Sequence, residues 1–103
     1  MAVYIDAEGI RWRNRLWCHL VADSLNELHD FARRIGLKRQ WFQDRGFYPH
    51  YDVTIAIREK ALRFGAVDAD RPTIVDRSKL LRRELLAQRS LWVECDVPEE
   101  IVS

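Results

Sequence analysis

Residues 24–37 read SLNELHDFARRIGL, and this stretch predicts an amphipathic helix over residues 25–35. Ser24 and Glu27 form a capping box, in which polar side chains satisfy the free N–H groups at the start of a helix. Gly36 suits the end of a helix, because glycine adopts a positive φ without strain. The apolar residues between these signals recur at i, i+3, i+4 and i+7 on one helix face: Leu28, Phe31, Ala32 and Ile35.

Strand and helix signals alternate on both sides of this helix. Apolar, β-branched or aromatic runs predict strands at residues 3–5, 38–43 and 66–67, with an extended segment at 16–21 and a second helix over 53–64. This order is typical of an α/β layer with parallel strands. We therefore expect α/β architecture, with a mainly parallel sheet of three or four strands; α+β is the alternative. One shared core is expected from Leu28, Phe31, Ile35, Ile57 and Phe64.

The C-terminal third has a different composition. Residues 71–89 carry six basic and two acidic side chains, and residues 78–88 have helical spacing. Residues 91–93 suggest a last strand, and residues 94–103 form an acidic tail. We expect one domain over residues 1–103, with residues 71–103 as a C-terminal extension that docks on the sheet or forms a homodimer through its helix.

Composition excludes several classes of protein. The chain has 103 residues, a net charge of +1 and 48% hydrophobic residues, which fits one globular domain and not a histone-like nucleic-acid binder. The N-terminus has the features of neither a signal peptide nor a membrane span, so a cytoplasmic protein is expected. In that compartment Cys18 and Cys95 are expected to be free thiols.

Polar residues follow or connect the predicted strands, where ligands bind in open parallel sheets. Four of them are candidate catalytic residues: Asp6, His19, His50 and Asp52. A divalent metal is the candidate cofactor, with His19, Asp23 and His50 as its ligands. Cys18 with His50 is a weaker nucleophile–base hypothesis. The alternative is that each of these residues caps a helix or pins a loop, as His29 is expected to do by a local hydrogen bond from a half-buried position.

An arginine–tryptophan cluster supplies the candidate ligand-binding residues, since guanidinium groups bind phosphate and indoles stack on bases. These residues are Arg11, Trp12, Arg13 and Arg15, together with Gln43. If the segment is extended, alternation places the three arginines on one face. The alternative is that the indoles fill the core and the arginines are solvated.

Five segments resemble a family of short bacterial and phage proteins catalogued as domain of unknown function 4031. They are VYID (3–6), WCHLVAD (17–23), ELH (27–29), WFQ (41–43) and HYDV (50–53), and the resemblance covers about residues 3–67. It implies a small cytoplasmic domain and carries over no catalytic role.

These observations favour one function and leave a second open. The first is a protein that binds a phosphate-bearing ligand at the sheet edge, and the expected partner is a nucleotide or nucleic acid. If the protein is an enzyme, we expect a metal-assisted phosphoester hydrolase. The second is a non-catalytic module that sequesters a ligand or contacts a partner. A catalytic site requires Asp6, His19, His50 and Asp52 to lie within a few ångströms of one another, whereas a module would show an exposed apolar patch.

Overall fold

A mixed six-stranded sheet carries three α-helices in the computed structural model, which describes residues 2–44 and 48–95. The acidic tail beyond residue 95 lies outside the described residues. The strands are β1 (Val3–Ile5), β2 (Ile10–Trp12), β3 (Arg15–Ala22), β4 (Phe42–Gln43), β5 (His50–Thr54) and β6 (Val67–Asp68). The helices are α1 (Leu25–Arg34), α2 (Ile55–Arg63) and α3 (Arg71–Cys95), and a 3₁₀ turn spans Arg39–Trp41.

The strand order is β4-β5-β3-β1-β6, and β2 pairs with the first residues of β3. Of the pairings between described strands, only that of β1 with β6 is parallel. The prediction of helices packed on a sheet is confirmed, whereas a mainly parallel sheet of three or four strands is wrong. The physical reason is a β2–β3 hairpin at Arg13 and Asn14, whose φ angles of 51° and 64° match a two-residue turn that sends β3 straight back.

The second helix begins later than its sequence suggests. Val53 is buried in β5, and α2 starts at Ile55 behind Thr54, whose Oγ1 accepts the N–H of Ile57 at 3.4 Å. Phe64 follows the helix and is 42% exposed, so its expected place in the shared core is wrong. Alternating burial along His50–Thr54 is the signature of a strand, and it explains why Val53 belongs to the sheet.

Helices α1 and α3 lie on opposite faces of the sheet. His29 of α1 contacts Tyr51, which pairs with Leu20, whereas Arg77 of α3 lies over the Tyr4 ring, which pairs with Val21. Since Leu20 and Val21 are consecutive strand residues, their side chains point to opposite faces. The core on the α1 face contains Leu28, Phe31 and Ile35, each at most 5% exposed.

Helix α3 is longer and more integrated than expected. It includes the predicted helix at residues 78–88, and it continues through residues 91–93, where a strand was expected, so that expectation is wrong. Its residues Ile74, Ser78 and Leu81 have buried side chains. Glu84 Oε1 accepts the N–H of Leu25 at 2.9 Å and so joins α3 to the start of α1. Among the described residues, no helix combines the length and apolar composition required to cross a bilayer.

The start of α1 offers a direct test of the predicted capping box. Ser24 Oγ accepts the N–H of Glu27 at 3.2 Å, and the hydroxyl donates to Glu27 Oε1 at 3.1 Å. Ser24→Ala is expected to lower the free energy of unfolding by about 1 kcal/mol, because one N–H of the first turn loses its acceptor. Urea denaturation measures the effect, with the exposed Asn26→Ala as control. Equal stability of the two variants would mean that Ser24 is not an effective cap.

Candidate functional site

Two histidines and an aspartate lie side by side on the face of the sheet that α3 covers only in part. His19 of β3 is directly opposite Asp52 of β5 in the antiparallel register, and His50 is opposite Gln43 of β4. Residues two apart on a strand share a face, so His50 and Asp52 point to the same side as His19. We call His19, His50 and Asp52 the histidine cluster.

Asp6 holds the first histidine in place. It follows β1 directly, and it is 2% exposed. Its Oδ1 accepts the backbone N–H of His19 at 2.9 Å, and its Oδ2 lies 2.7 Å from His19 Nδ1. Burial raises the pKa of the Asp6 carboxyl, but the hydrogen bonds from His19 outweigh it and hold that pKa below its usual value. The bond to Asp6 raises the pKa of His19 despite desolvation of the ring.

The second histidine is held by the backbone. His50 Nδ1 donates to the Tyr48 carbonyl at 2.6 Å, and His50 Nε2 lies 3.0 Å from Asp52 Oδ1. The rings of His19 and His50 are 5.1 Å apart between centroids and cross at 72°. The two imidazoles are 26% and 23% exposed, so both can be reached from solvent while remaining fixed.

Each imidazole therefore uses Nδ1 for a structural bond and keeps Nε2 for the site. Fixing of the Nδ1–H by a carboxylate or carbonyl is the arrangement that surrounds metal-bound histidines in proteins. One ring nitrogen of each histidine and an Asp52 carboxylate oxygen all lie within 4.8 Å of one another. An unprotonated His50 Nε2 and a carboxylate oxygen are two acceptors, so their short contact requires a proton or a cation between them.

Two further carboxylates, those of Asp6 and Glu8, lie beside the cluster, and each already has a partner within the protein. Asp6, Glu8 and His19 also bring ligand atoms within 4.8 Å of one another. Both Asp6 oxygens are occupied by His19, and Glu8 Oε1 lies 3.3 Å from Arg71 Nη1. Because a resident guanidinium compensates Glu8, these carboxylates are better suited to hold His19 than to bind another cation.

A groove of about 840 Å³ opens over the histidine cluster, and we call it the central groove. Its lining includes Trp12, Arg15 and Trp17 from the β2–β3 hairpin, Trp41 from the 3₁₀ turn, and Gln43, with His19, His50 and Asp52 in the same cavity. A smaller cavity of about 250 Å³ reaches Asp6, Glu8 and both histidines from the α3 side. Volumes of several hundred cubic ångströms are those of small-ligand sites.

The candidate catalytic residues are thus brought together, although not by the geometry that the sequence suggested. Asp6, His19, His50 and Asp52 converge through cross-strand register on one sheet face, and not at the carboxyl ends of parallel strands. Trp41 and Thr54 are groove residues that our sequence reasoning missed as site residues. Their only sequence signal was their position next to the histidine- and glutamine-bearing segments.

The candidate metal ligand Asp23 lies elsewhere. Its Oδ1 is 3.1 Å from Arg77 Nη1, and its Oδ2 accepts the N–H of Ala2 at 2.9 Å. It ties the beginning of the chain to α3, so Asp52 takes the place next to the histidines that we had expected of Asp23. The reason is register, since His19 pairs directly with Asp52.

Cys18 has the wrong orientation for catalysis. It is fully buried opposite Val53, on the sheet face away from His19, and burial raises the pKa of its thiol. The hypothesis of a Cys18–His50 nucleophile and base is therefore wrong.

The predicted arginine face is only partly present. Arg11 and Arg15 both line the central groove, but Arg11 pairs with Leu16 whereas Arg15 pairs with Trp12, so they point to alternate faces of the hairpin. Arg13 lies in the turn, with its guanidinium 4.6 Å from the centroid of the Trp12 ring. A common face of three arginines is wrong, because the hairpin turn interrupts the extended segment.

The model of the family described as "Protein of unknown function (DUF4031)" matches residues 3–81, which confirms the resemblance and extends it into α3. No curated protein and no solved structure matches the chain. The family match covers all six strands and the histidine cluster, and the chain therefore belongs to the DUF4031 family.

Proposed function

We propose that this protein binds a divalent metal ion through His19, His50 and Asp52 and uses it to hydrolyse a phosphoester held in the central groove. The observation that carries this proposal is the convergence of two imidazoles, each fixed through Nδ1, with a carboxylate on the floor of a groove. Two histidines and one carboxylate leave several coordination positions open for water and substrate.

The distances within the cluster support a cation. Ligand bonds of about 2.0–2.2 Å separate two ligand atoms by about 3 Å when they meet at nearly a right angle. His50 Nε2 and Asp52 Oδ1 are 3.0 Å apart, so both can bind one ion with little movement. Asp6 contacts the Nδ1 side of His19, where its carboxylate orients the imidazole ring and raises the basicity of the other ring nitrogen.

The proposed reaction uses water as the nucleophile. His19, His50 and Asp52 would hold the metal, which would lower the pKa of a water so that the water oxygen can bond to phosphorus while its proton passes to solvent. The bond between phosphorus and the leaving ester oxygen breaks, and that oxygen takes up a proton, so one water yields an alcohol and a phosphate with one ester bond fewer. Arg15 lines the same groove and supplies positive charge for the phosphoryl oxygens.

Metal binding is the first test of this proposal. Calorimetric titration of chelator-treated protein with Mn²⁺ and Zn²⁺ is expected to show one site per chain. His19→Ala, His50→Ala and Asp52→Asn should each weaken it more than ~100-fold, and Asp6→Asn about 10–100-fold. His29→Gln and Asp30→Asn remove the same functional groups outside the groove and should leave binding unchanged. Circular dichroism verifies that each variant is folded.

Catalysis is the second test. Metal-loaded protein is expected to hydrolyse bis(p-nitrophenyl) phosphate, and His19→Ala and Asp52→Asn should lose that activity together with the metal. A wild-type protein that binds neither Mn²⁺ nor Zn²⁺ at millimolar concentration would overturn the proposal. Metal binding without hydrolysis of any phosphoester would support the metal site and refute the proposed hydrolase activity.

One observation favours the alternative of a non-catalytic interaction module. Ile10 and Trp12 on β2 and Leu16 on β3 are 48%, 58% and 45% exposed, which places apolar surface on the projecting hairpin. Exposed apolar patches mark contact surfaces for other molecules. Under this alternative the hairpin binds a partner whether or not the histidine cluster is intact, so His19→Ala would leave partner binding unchanged.

A further inference from the structure

We propose that the ligand of the central groove is single-stranded nucleic acid, with one phosphodiester over the histidine cluster and a base stacked on each side of it. This inference rests on the proposed function, since it names the class of phosphoester. It is carried by exposed indoles on both sides of the cluster and by the charge of the groove.

The sheet order places aromatic side chains on either side of the histidines. Trp12 lies on β2, His19 on β3, Asp52 on β5, and Trp41 immediately precedes β4, so the cluster falls between the two tryptophans. From β2 to β4 there are three strand spacings, about 14 Å at the ordinary separation of strands. Trp12 pairs with Arg15, four residues before His19 on β3, so the two indoles are also offset along the strands. Two separated aromatic surfaces with a phosphate site between them match two bases of one strand better than a single mononucleotide.

The two indoles are held out of the core. Trp12 is 58% exposed and Trp41 is 46% exposed, which is unusual for the largest apolar side chain. Trp17 supports the first of them, because its Nε1 donates to the Trp12 carbonyl at 3.0 Å and the two rings meet edge to face. Exposed indoles on a fixed backbone are the platforms on which unpaired bases stack.

The charge of the groove suits a polyanion. Arg11 and Arg15 are in its lining, and Asp52, a proposed metal ligand, is the one acidic residue among the described lining residues. Cations also accompany each exposed indole: Arg13 lies 4.6 Å from the Trp12 ring centroid, and Lys38 Nζ lies 5.6 Å from that of Trp41. Phosphates on either side of the central phosphodiester would therefore meet positive charge.

The test measures binding of fluorescein-labelled hexathymidylate and hexauridylate, with thymidine monophosphate and an abasic hexamer as comparison ligands. Trp12→Ala and Trp41→Ala should each weaken oligonucleotide binding at least ~10-fold, since stacking on an aromatic side chain contributes about 1–3 kcal/mol per base. Phe64→Ala removes an aromatic ring that is 42% exposed outside the groove, and it should change nothing. Arg15→Gln should reduce the slope of log affinity against log salt by about 0.7.

The outcomes separate this inference from the proposed function. Mn²⁺ titration of Trp12→Ala and Trp41→Ala should give the wild-type metal affinity, since neither indole belongs to the histidine cluster. If His19→Ala loses the metal but keeps tryptophan-dependent oligonucleotide binding, nucleic acid remains the ligand and the metal contributes only to catalysis. If the abasic hexamer binds as tightly as hexathymidylate, or the tryptophan variants bind like the wild type, base stacking is refuted even where metal binding succeeds.

Discussion

Replacing Phe31 with alanine is expected to lower the free energy of unfolding by about 3–5 kcal/mol. Phe31 is 5% exposed and packs in the core between α1 and the sheet, in the same cluster as Leu28 and Ile35, which are 0% and 1% exposed. Truncation removes the transfer free energy of the ring and leaves a cavity that the rigid sheet cannot close. A domain of this size has about 5–15 kcal/mol in total, so the loss is a large share of its stability.

Phe64→Ala is the matched control for this prediction. Its ring is 42% exposed and lies 6.0 Å from the Arg34 guanidinium and 5.8 Å from Lys60 Nζ, so truncation costs only surface contacts. Urea denaturation of both variants should show a change for Phe64→Ala below about 1 kcal/mol. A Phe31→Ala variant no less stable than Phe64→Ala would contradict the packing of α1 on the sheet.

The accuracy of the prediction for α1 has a local cause. Its cap, its apolar stripe and its glycine ending all lie within fourteen consecutive residues, from Ser24 to Leu37, and none depends on the rest of the chain. The sequence pattern places the second helix two residues early because Val53 fits a helical stripe as well as a strand. Only its pairing with Cys18, thirty-five positions earlier, decides the matter, and a single sequence does not contain that pairing.

The antiparallel arrangement of most strands is not evident from the sequence for a similar reason. Hairpins with two-residue turns are usually signalled by glycine or by Asn-Gly, and this one uses Arg13 and Asn14 with positive φ angles. A left-handed arginine carries a steric cost, and the contact of its guanidinium with the ring of the preceding Trp12 is one interaction that offsets it. Without that turn, the run from Arg11 to Trp17 looks like a loop.

The sequence was enough to name four residues that the structure brings together, but not to explain which strand pairings bring them together. Histidines and carboxylates in turn-like or strand-end segments were sufficient to select Asp6, His19, His50 and Asp52. Choosing between Asp23 and Asp52 required knowledge of long-range contacts, because Asp23 is satisfied by Arg77, fifty-four positions later. Register across β3 and β5 is what makes a cluster out of scattered residues.

Acidification from pH 7 to pH 4.5 is expected to lower the free energy of unfolding of the wild type by about 2 kcal/mol more than it lowers that of the His29→Gln variant. Burial lowers the pKa of His29 to about 4, and the positive charge of Arg39 acts in the same direction. The ring lies between Phe42 and Tyr51, and its Nδ1 is 2.9 Å from the Tyr51 hydroxyl. The half-buried position agrees with the expectation, but the hydrogen bond is long-range and not local, because Tyr51 is twenty-two positions later. The neutral imidazole is therefore the form that the fold accommodates.

The sign of this effect follows from where the proton binds. Between pH 6.5 and about pH 4, the unfolded chain takes up a proton on His29 that the folded chain does not, so the unfolded state gains stability as the pH falls. A pKa of about 4 in place of 6.5 is worth ~3 kcal/mol for a fully buried ring, and its partial exposure reduces the expected effect to about 2 kcal/mol. Urea denaturation of both proteins at several pH values, with chelator present, isolates His29, because the Asp6–His19 pair titrates equally in each. Parallel stability curves for wild type and His29→Gln would show that His29 takes up its proton as readily in the folded protein as in the unfolded chain.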